Sequence, residues 1–258
     1  LPFTASAFPL VAEKTYWTLD FTGGSPLLIT SVTDRYAPLS ECLRYRLRWV
    51  VLAMTLLLGG LVAGESLVSM SLIQWVKQKY GEPAAGRVSE WQTLMESRQE
   101  GSETDKLILV NDFFNRLAYR SDLNIWGKED YWATPVEALG RGQADCEDYS
   151  IAKYFTLREM GVPEEKMRIM YVKALELNQA HMVLTYYPQE SGVPLVLDNL
   201  NGQILSADKR GDLAPVYSFN AEGLWLAKSR GRGEKVGSSS RISLWQDLQA
   251  RMTREMVQ

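Results

Sequence analysis

GRGQADCEDYSIAKYFTLREM, residues Gly140 to Met160, sets a cysteine at the head of an apolar helix. Ile151, Ala152, Phe155 and Met160 recur at three-, four- and five-residue steps, so one face of the segment can enter a core. Gly161 and Pro163 supply a stop. Cys146 falls in the first turn, where unpaired backbone N–H groups and the helix dipole favour a thiolate. Asp145, Glu147 and Asp148 act the other way. They repel a thiolate and raise its pKa above the free value of about 8.5. A reactive Cys146 therefore needs something that cancels this charge.

Upstream of this segment, Thr134-Pro135-Val136-Glu137 opens a short helix: a capping Thr, Pro at the first position and Glu at the third. Gly140 and Gly142 end it. Residues 121–132 (SDLNIWGKEDYW) are polar, aromatic and aperiodic, which predicts a loop. Three earlier helices are expected, over Ser66–Lys79, Val88–Met95 and Asp105–Tyr119, and core packing accounts for their apolar residues. After Pro163 the pattern changes. Arg168–Leu175, His181–Tyr187 and Val193–Leu197 are short, β-branched and aromatic, and read as strands. Asn201-Gly202 marks a turn. Tyr217–Ala227 suggests another strand or hairpin, Ser229–Ser240 a mobile loop, and Ser243–Met256 a closing helix. Helices first and strands after indicate an α+β fold with an antiparallel sheet.

The whole chain has 258 residues, 46% hydrophobic and 23% charged, which suits a soluble globular protein. A net charge of −3 and the lack of a basic, aromatic-studded stripe argue against a nucleic-acid partner. Two cysteines and one histidine exclude a disulfide framework and a zinc site of Cys and His. Arg44, Arg46 and Arg48 precede the apolar run Trp49–Ala63, so residues 44–64 have the layout of an export signal, with cleavage expected near Ala63 or Gly64. An uncleaved anchor is the alternative, although the run is short against the roughly 20 residues a span needs. Residues 1–43 lack periodicity and are expected to be a disordered or non-native leader extension. Cys42 lies there, so a processed domain over 65–258 would keep Cys146 alone. Its helical part is expected over about 66–160 and its sheet part over about 165–228, with the closing helix over about 243–256.

Cys146 at a helix start, His181 at a strand start and Asp198 at the end of the next strand form an order that thiol chemistry can use. A base must take the proton and a third group must orient that base. The backbone N–H of Cys146 is then a natural oxyanion donor. Each residue has a plainer reading: a core thiol, a structural imidazole, a turn-starting aspartate. The acids beside Cys146 could simply cap their helix. They could also hold a hard cation, since calcium takes six to eight oxygen ligands. The loop before Thr134 offers Asp122, Asn124, Glu129 and Asp130 to such an ion, and no EF-hand spacing is present.

DCEDYSIAKYFTLREMG, a single AHMVL and then LVLDNL resemble the bacterial transglutaminase-like cysteine proteinases, most closely the LapG-type periplasmic group. FFN at Phe113–Asn115, DYWATPVEAL at Asp130–Leu139 and GLWL at Gly223–Leu226 also fit, so the resemblance spans about Ser66 to Leu226. It implies a papain- or transglutaminase-like fold, with a helical lobe packed on an antiparallel sheet. It implies Cys146 as nucleophile, His181 as base and then acid, and Asp198 as orienter. It also implies calcium, with Asp145 and Glu147 as the flanking ligands and Asp122 and Asn124 as loop ligands. The family's substrate is a large surface adhesin cut near its N-terminal anchor, which frees cells from a biofilm. Its regulator is an inner-membrane receptor that senses cyclic-di-GMP and sequesters the protease. Two other outcomes stay open: acyl transfer on the same triad, as in transglutaminases, and a non-catalytic calcium-stabilised binding module.

Overall fold

The computed structural model describes residues 15–17, 31–33, 68–97, 101–189, 191–226 and 233–257. Leu1–Gly64 and Glu65–Gln258 are separate compact units. In the first unit, β1 (Thr15–Trp17) pairs antiparallel with β2 (Ser31–Thr33), within the stretch expected to be a leader extension. The expected export signal, residues 44–64, lies outside the described residues. No helix among the described residues is long and apolar enough to cross a membrane.

The second unit begins with three helices: α1 (Met70–Tyr80), α2 (Glu82–Ser97) and α3 (Glu103–Phe114). Gly81 ends α1 at φ 93°, and Pro83 sits in the first turn of α2, where its missing N–H costs nothing. The second helix is thus longer than its apolar stripe implied, because a first-turn Pro starts a helix as readily as it stops one. The third is shorter than expected: α3 stops at Phe114, and Ala118–Tyr119 forms β3 instead. The stretch expected to be a loop holds a five-residue helix, α4 (Asp122–Trp126), ended by Gly127 in the left-handed conformation.

The short helix opened by Thr134 is α5 (Pro135–Arg141), with the capping box between Thr134 and Glu137 complete. Gly142 ends it at φ 67°, and Arg87 covers its last turn, donating to the carbonyls of Leu139 (2.6 Å) and Gly140 (3.0 Å). After β4 (Gln143–Ala144), which pairs with β3 in parallel, comes α6 (Cys146–Glu159). All residues from Asp148 to Leu157 are buried, so α6 is a helix enclosed on every side rather than an amphipathic one. It packs against α3, α5, β5 and β6.

Seven antiparallel strands follow, ordered β11-β10-β9-β5-β6-β7-β8: β5 (Met167–Ala174), β6 (Gln179–Tyr186), β7 (Leu195–Leu197), β8 (Leu205–Ser206), β9 (Leu213–Asn220), β10 (Gly223–Leu226) and β11 (Glu234–Gly237). The β11 strand falls inside the segment expected to be a loop; pairing with the edge of β10 orders it, a contact no local composition announces. The closing helix is α7 (Ser243–Glu255), whose Trp245 stacks on Phe155 of α6 at 5.4 Å. Alternation along β6 divides the sheet's two faces. Met182, Leu184 and Tyr186 enter the main core under α6, whereas Val183 joins Val172 and Val196 in a smaller apolar cluster. His181 pairs directly across from Val172 and shares that second face.

Candidate active site and cation-binding cluster

Three elements carry the sequence-predicted residues. Cys146 is the first residue of α6, and its thiol donates to Glu147 Oε2 at 3.0 Å. Helix α6 packs on β6, and the backbone N–H of Met182 is turned toward the sulfur. Since Met182 follows His181, the sulfur abuts the piece of strand that carries the imidazole. Burial pushes the Cys146 thiol up, the charge of Glu147 and its hydrogen bond push further, and the charge of Asp145 adds to them; only the Met182 N–H opposes.

Asp198 directly follows β7, and its carboxylate reaches His181 across the sheet face: His181 Nε2 and Asp198 Oδ1 are 2.7 Å apart, and both residues are buried. Engaging Nε2 leaves Nδ1 as the ring nitrogen for proton exchange. Oδ1 also accepts from the Leu200 N–H at 3.0 Å, and Oδ2 accepts from Arg210 at 2.7 Å. Asn115 fixes the backbone, its amide donating to the Asp198 carbonyl at 2.9 Å. Burial alone would raise the Asp198 carboxyl. The hydrogen bond and charge of His181, with the bonds from Arg210 and Leu200, outweigh it and hold the carboxyl down at about 2.

The acids on the other side of Cys146 form two overlapping groups. Asp122, Asp145 and Asp148 bring carboxylate oxygens within 4.8 Å of one another, and so do Asp122, Asp130 and Glu147. Asp148 is tied into the fold: Oδ1 accepts from the Ala133 N–H at 2.7 Å and Oδ2 from the Asp145 N–H at 3.4 Å. Asp122 Oδ2 accepts from the Tyr131 N–H at 2.6 Å. The oxygens Asp122 Oδ1 and Asp145 Oδ1 are buried without a hydrogen-bond partner. Burial and the neighbouring carboxylates push Asp122 up to about 6 and Asp145 up to about 10. Two orphaned, buried carboxylate oxygens inside an all-oxygen cluster are what a hard cation such as calcium would satisfy. Of the expected ligand residues, the structure gathers Asp122, Asp145 and Glu147. It does not bring in Asn124, which is exposed on α4 and whose amide donates to Ser121 Oγ at 2.9 Å.

Sequence reasoning missed Arg210, because nothing local separates a buried arginine in an Arg-Gly-Asp turn from a solvated one. It left Asp130 as one of several loop acids and Asp148 as one of the acids that could cap the helix or hold a cation, since the grouping of these carboxylates depends on tertiary packing. Tyr119 also borders the site; burial and then the charges of Cys146 and Asp145 raise its hydroxyl.

Comparison with known proteins places these residues in context. The profile of a family described as bacterial transglutaminase-like cysteine proteinase matches residues 71–213. Among solved structures, EGTA-treated Legionella pneumophila LapG is 45% identical, covers 72% of this chain and 99% of its own, and superposes with a TM-score of 0.64. The calcium-bound Legionella pneumophila LapG is also 45% identical at the same coverage, with a TM-score of 0.62. No curated protein sequence matches the chain.

Proposed function

The chain belongs to the bacterial transglutaminase-like cysteine proteinases, and on that premise we propose that it is a calcium-dependent thiol endopeptidase acting through Cys146, His181 and Asp198. The observation that carries this reading is the buried 2.7 Å contact between His181 and Asp198 beside the strand backbone that Cys146 abuts. In the reaction, His181 Nδ1 takes the proton from Sγ. The sulfur adds to the scissile carbonyl, and the oxyanion forms at the end of α6, within reach of the Cys146 N–H. The C–N bond breaks as the imidazolium returns its proton to the leaving amine. Water, deprotonated by His181, then releases the acyl group from sulfur. Asp198 stays ionised and holds the ring.

Asp122, Asp145 and Asp148, with Asp130 and Glu147, are the residues that would hold calcium. Bound there, the ion supplies positive charge that offsets the carboxylates around the thiol. Support for this comes from the orphaned oxygens of Asp122 and Asp145 and from the calcium-bound state of the Legionella relative. The substrate we propose is the N-terminal region of a large cell-surface adhesin, cut at small residues in the periplasm to release cells from a biofilm. An inner-membrane receptor for cyclic-di-GMP would sequester the enzyme. These last assignments rest on the resemblance of the motifs around Cys146, His181 and Asp198.

The test is cleavage of an adhesin N-terminal fragment by the wild type and by Cys146→Ala, with and without EGTA. Cleavage with a new N-terminus, lost in the variant and on chelation, is expected. Cleavage by Cys146→Ala ends the nucleophile assignment, indifference to EGTA ends the metal assignment, and an isopeptide-linked product in place of a new terminus means acyl transfer.

A further inference from the structure

His181 can be aimed only as firmly as Asp198 is held, and the side chain that holds Asp198 Oδ2 comes from a part of the chain with no motif. Resting on the proposed triad, we infer that Arg210 is a positioning residue for the reaction: it locks the Asp198 carboxylate and, through it, the catalytic imidazole.

The two oxygens of Asp198 have separate duties. Oδ1 serves His181 and the Leu200 N–H, and Oδ2 serves Arg210 at 2.7 Å. A carboxylate held at one oxygen can swing; held at both, it presents Oδ1 in one direction. Arg210 is itself fixed. Its Nε donates to Asp212 Oδ1 at 2.9 Å, and the same terminal nitrogen that serves Asp198 donates to Asp212 Oδ2 at 2.7 Å. Its backbone is pinned by Arg210 N to Ala207 O (3.2 Å) and Leu213 N to Arg210 O (3.1 Å). Arg210 and Asp198 are 4% and 1% exposed, so the charge-assisted bond between them is screened less than one at the surface.

Charge balance gives the guanidinium a second duty. Asp198, Asp212 and Arg210 together carry one net negative charge beside a neutral imidazole, and none once the imidazole has taken the thiol proton. The bond from Arg210 to Oδ2 adds to that of His181 in keeping Asp198 ionised. Lysine would lack the Nε bond to Asp212 that fixes the plane of the fork, so its single nitrogen would not be held in one direction toward Asp198.

The remaining terminal nitrogen of Arg210, Nη1, is buried without a partner. Arg210 lines a groove of about 560 Å³ floored by Met170, Val172, Val183 and Val196. Removing the side chain therefore opens its site to a small cation arriving through the groove, which makes chemical rescue a direct test.

Arg210→Ala is expected to lower kcat roughly 10- to 100-fold with KM little changed. Millimolar guanidinium should then restore kcat several-fold in the folded variant, methylammonium should not, and wild type and Cys146→Ala should gain nothing. Wild-type kcat in Arg210→Ala, or a folded variant that guanidinium leaves unrestored, overturns the assignment. If Arg210→Ala does not fold, Arg210→Lys decides: a folded variant with kcat reduced about tenfold supports it, and wild-type kcat overturns it. His181→Ala separates the two levels. If it retains activity, the triad itself is wrong; if it is dead while Arg210→Ala is fully active, only the role of Arg210 falls.

Discussion

Two clusters of largely buried charge, one on the sheet and one around the start of α6, differ in how they are balanced. On the sheet side, His181, Asp198, Arg210 and Asp212 form a chain in which each carboxylate has a cationic or N–H partner. On the helix side, Asp122, Asp130, Asp145, Glu147 and Asp148 crowd together, and the charges acting most on Asp122 and Asp145 come from other carboxylates. Burial has opposite outcomes in the two places. Asp198 is held near 2 because its partners outweigh desolvation, while Asp145 rises to about 10 because its neighbours add to it. In the first cluster each carboxylate has its partners within the protein. The second leaves Asp122 Oδ1 and Asp145 Oδ1 without a partner, and it sits beside the Cys146 thiol.

The largest effect should come from breaking the first cluster. His181→Ala is expected to reduce kcat by about 10⁴-fold or more while calcium affinity, read by calorimetry, stays at the wild-type value. Loss of calcium binding in that variant would mean that the two clusters are one unit. Asp145→Asn should do the converse: weaker calcium binding, with activity about 10- to 100-fold lower at limiting calcium and recovering as calcium is raised. Asp145→Asn with unchanged calcium affinity would remove that carboxylate from the ligand set.

Calcium should also stabilise the fold. At a hundred times its dissociation constant it adds about 2.7 kcal/mol, which for a domain of this size raises Tm by about 5–10 °C. The sign with pH follows from Asp122, whose folded value is raised to about 6. Without the ion, the folded state binds that proton more tightly than the unfolded chain does, so stability falls as pH rises from the ordinary carboxylate value through about 6. The gain from calcium should thus be larger at pH 7 than at pH 5; a gain independent of pH would contradict a carboxylate site.

The effect furthest from the reaction concerns Lys153, fully buried on α6, where it donates to Asn111 Oδ1 at 2.9 Å. Burial lowers it to about 7, against which the charge of Asp198 works. The unfolded chain then holds the extra proton between pH 7 and the ordinary lysine value. Wild-type stability should gain up to about 1.4 kcal/mol per pH unit across that window from this group. Lys153→Met should remove that component, seen as a flatter series of urea midpoints from pH 7 to 10. An unchanged slope would show that Lys153 stays charged in the fold.

What could be read before folding was local or ordered along the chain. Thr134 and Glu137 announced their capping box three residues apart, and Gly142 its left-handed turn. Cys146, His181 and Asp198 announced themselves by order and by the acids beside the thiol. The five-residue α4 and the strand β11 went unread, because neither has a pattern of its own. The first is tied to the fold by the Tyr131 N–H that Asp122 accepts, the second by pairing with β10.

The sequence by itself determined the α+β order, the helix that begins at Cys146 and the excess of negative charge around it, since these depend on neighbours a few residues apart. Only the tertiary structure decided which acids share a cation site and which cation secures Asp198. Asp122 lies 23 positions from Asp145, and Arg210 lies 12 from Asp198. Whether such charges meet in a dry interior or point to water depends on how α4, α6 and the sheet pack, and that packing is why Asp122 rises while Asp198 falls.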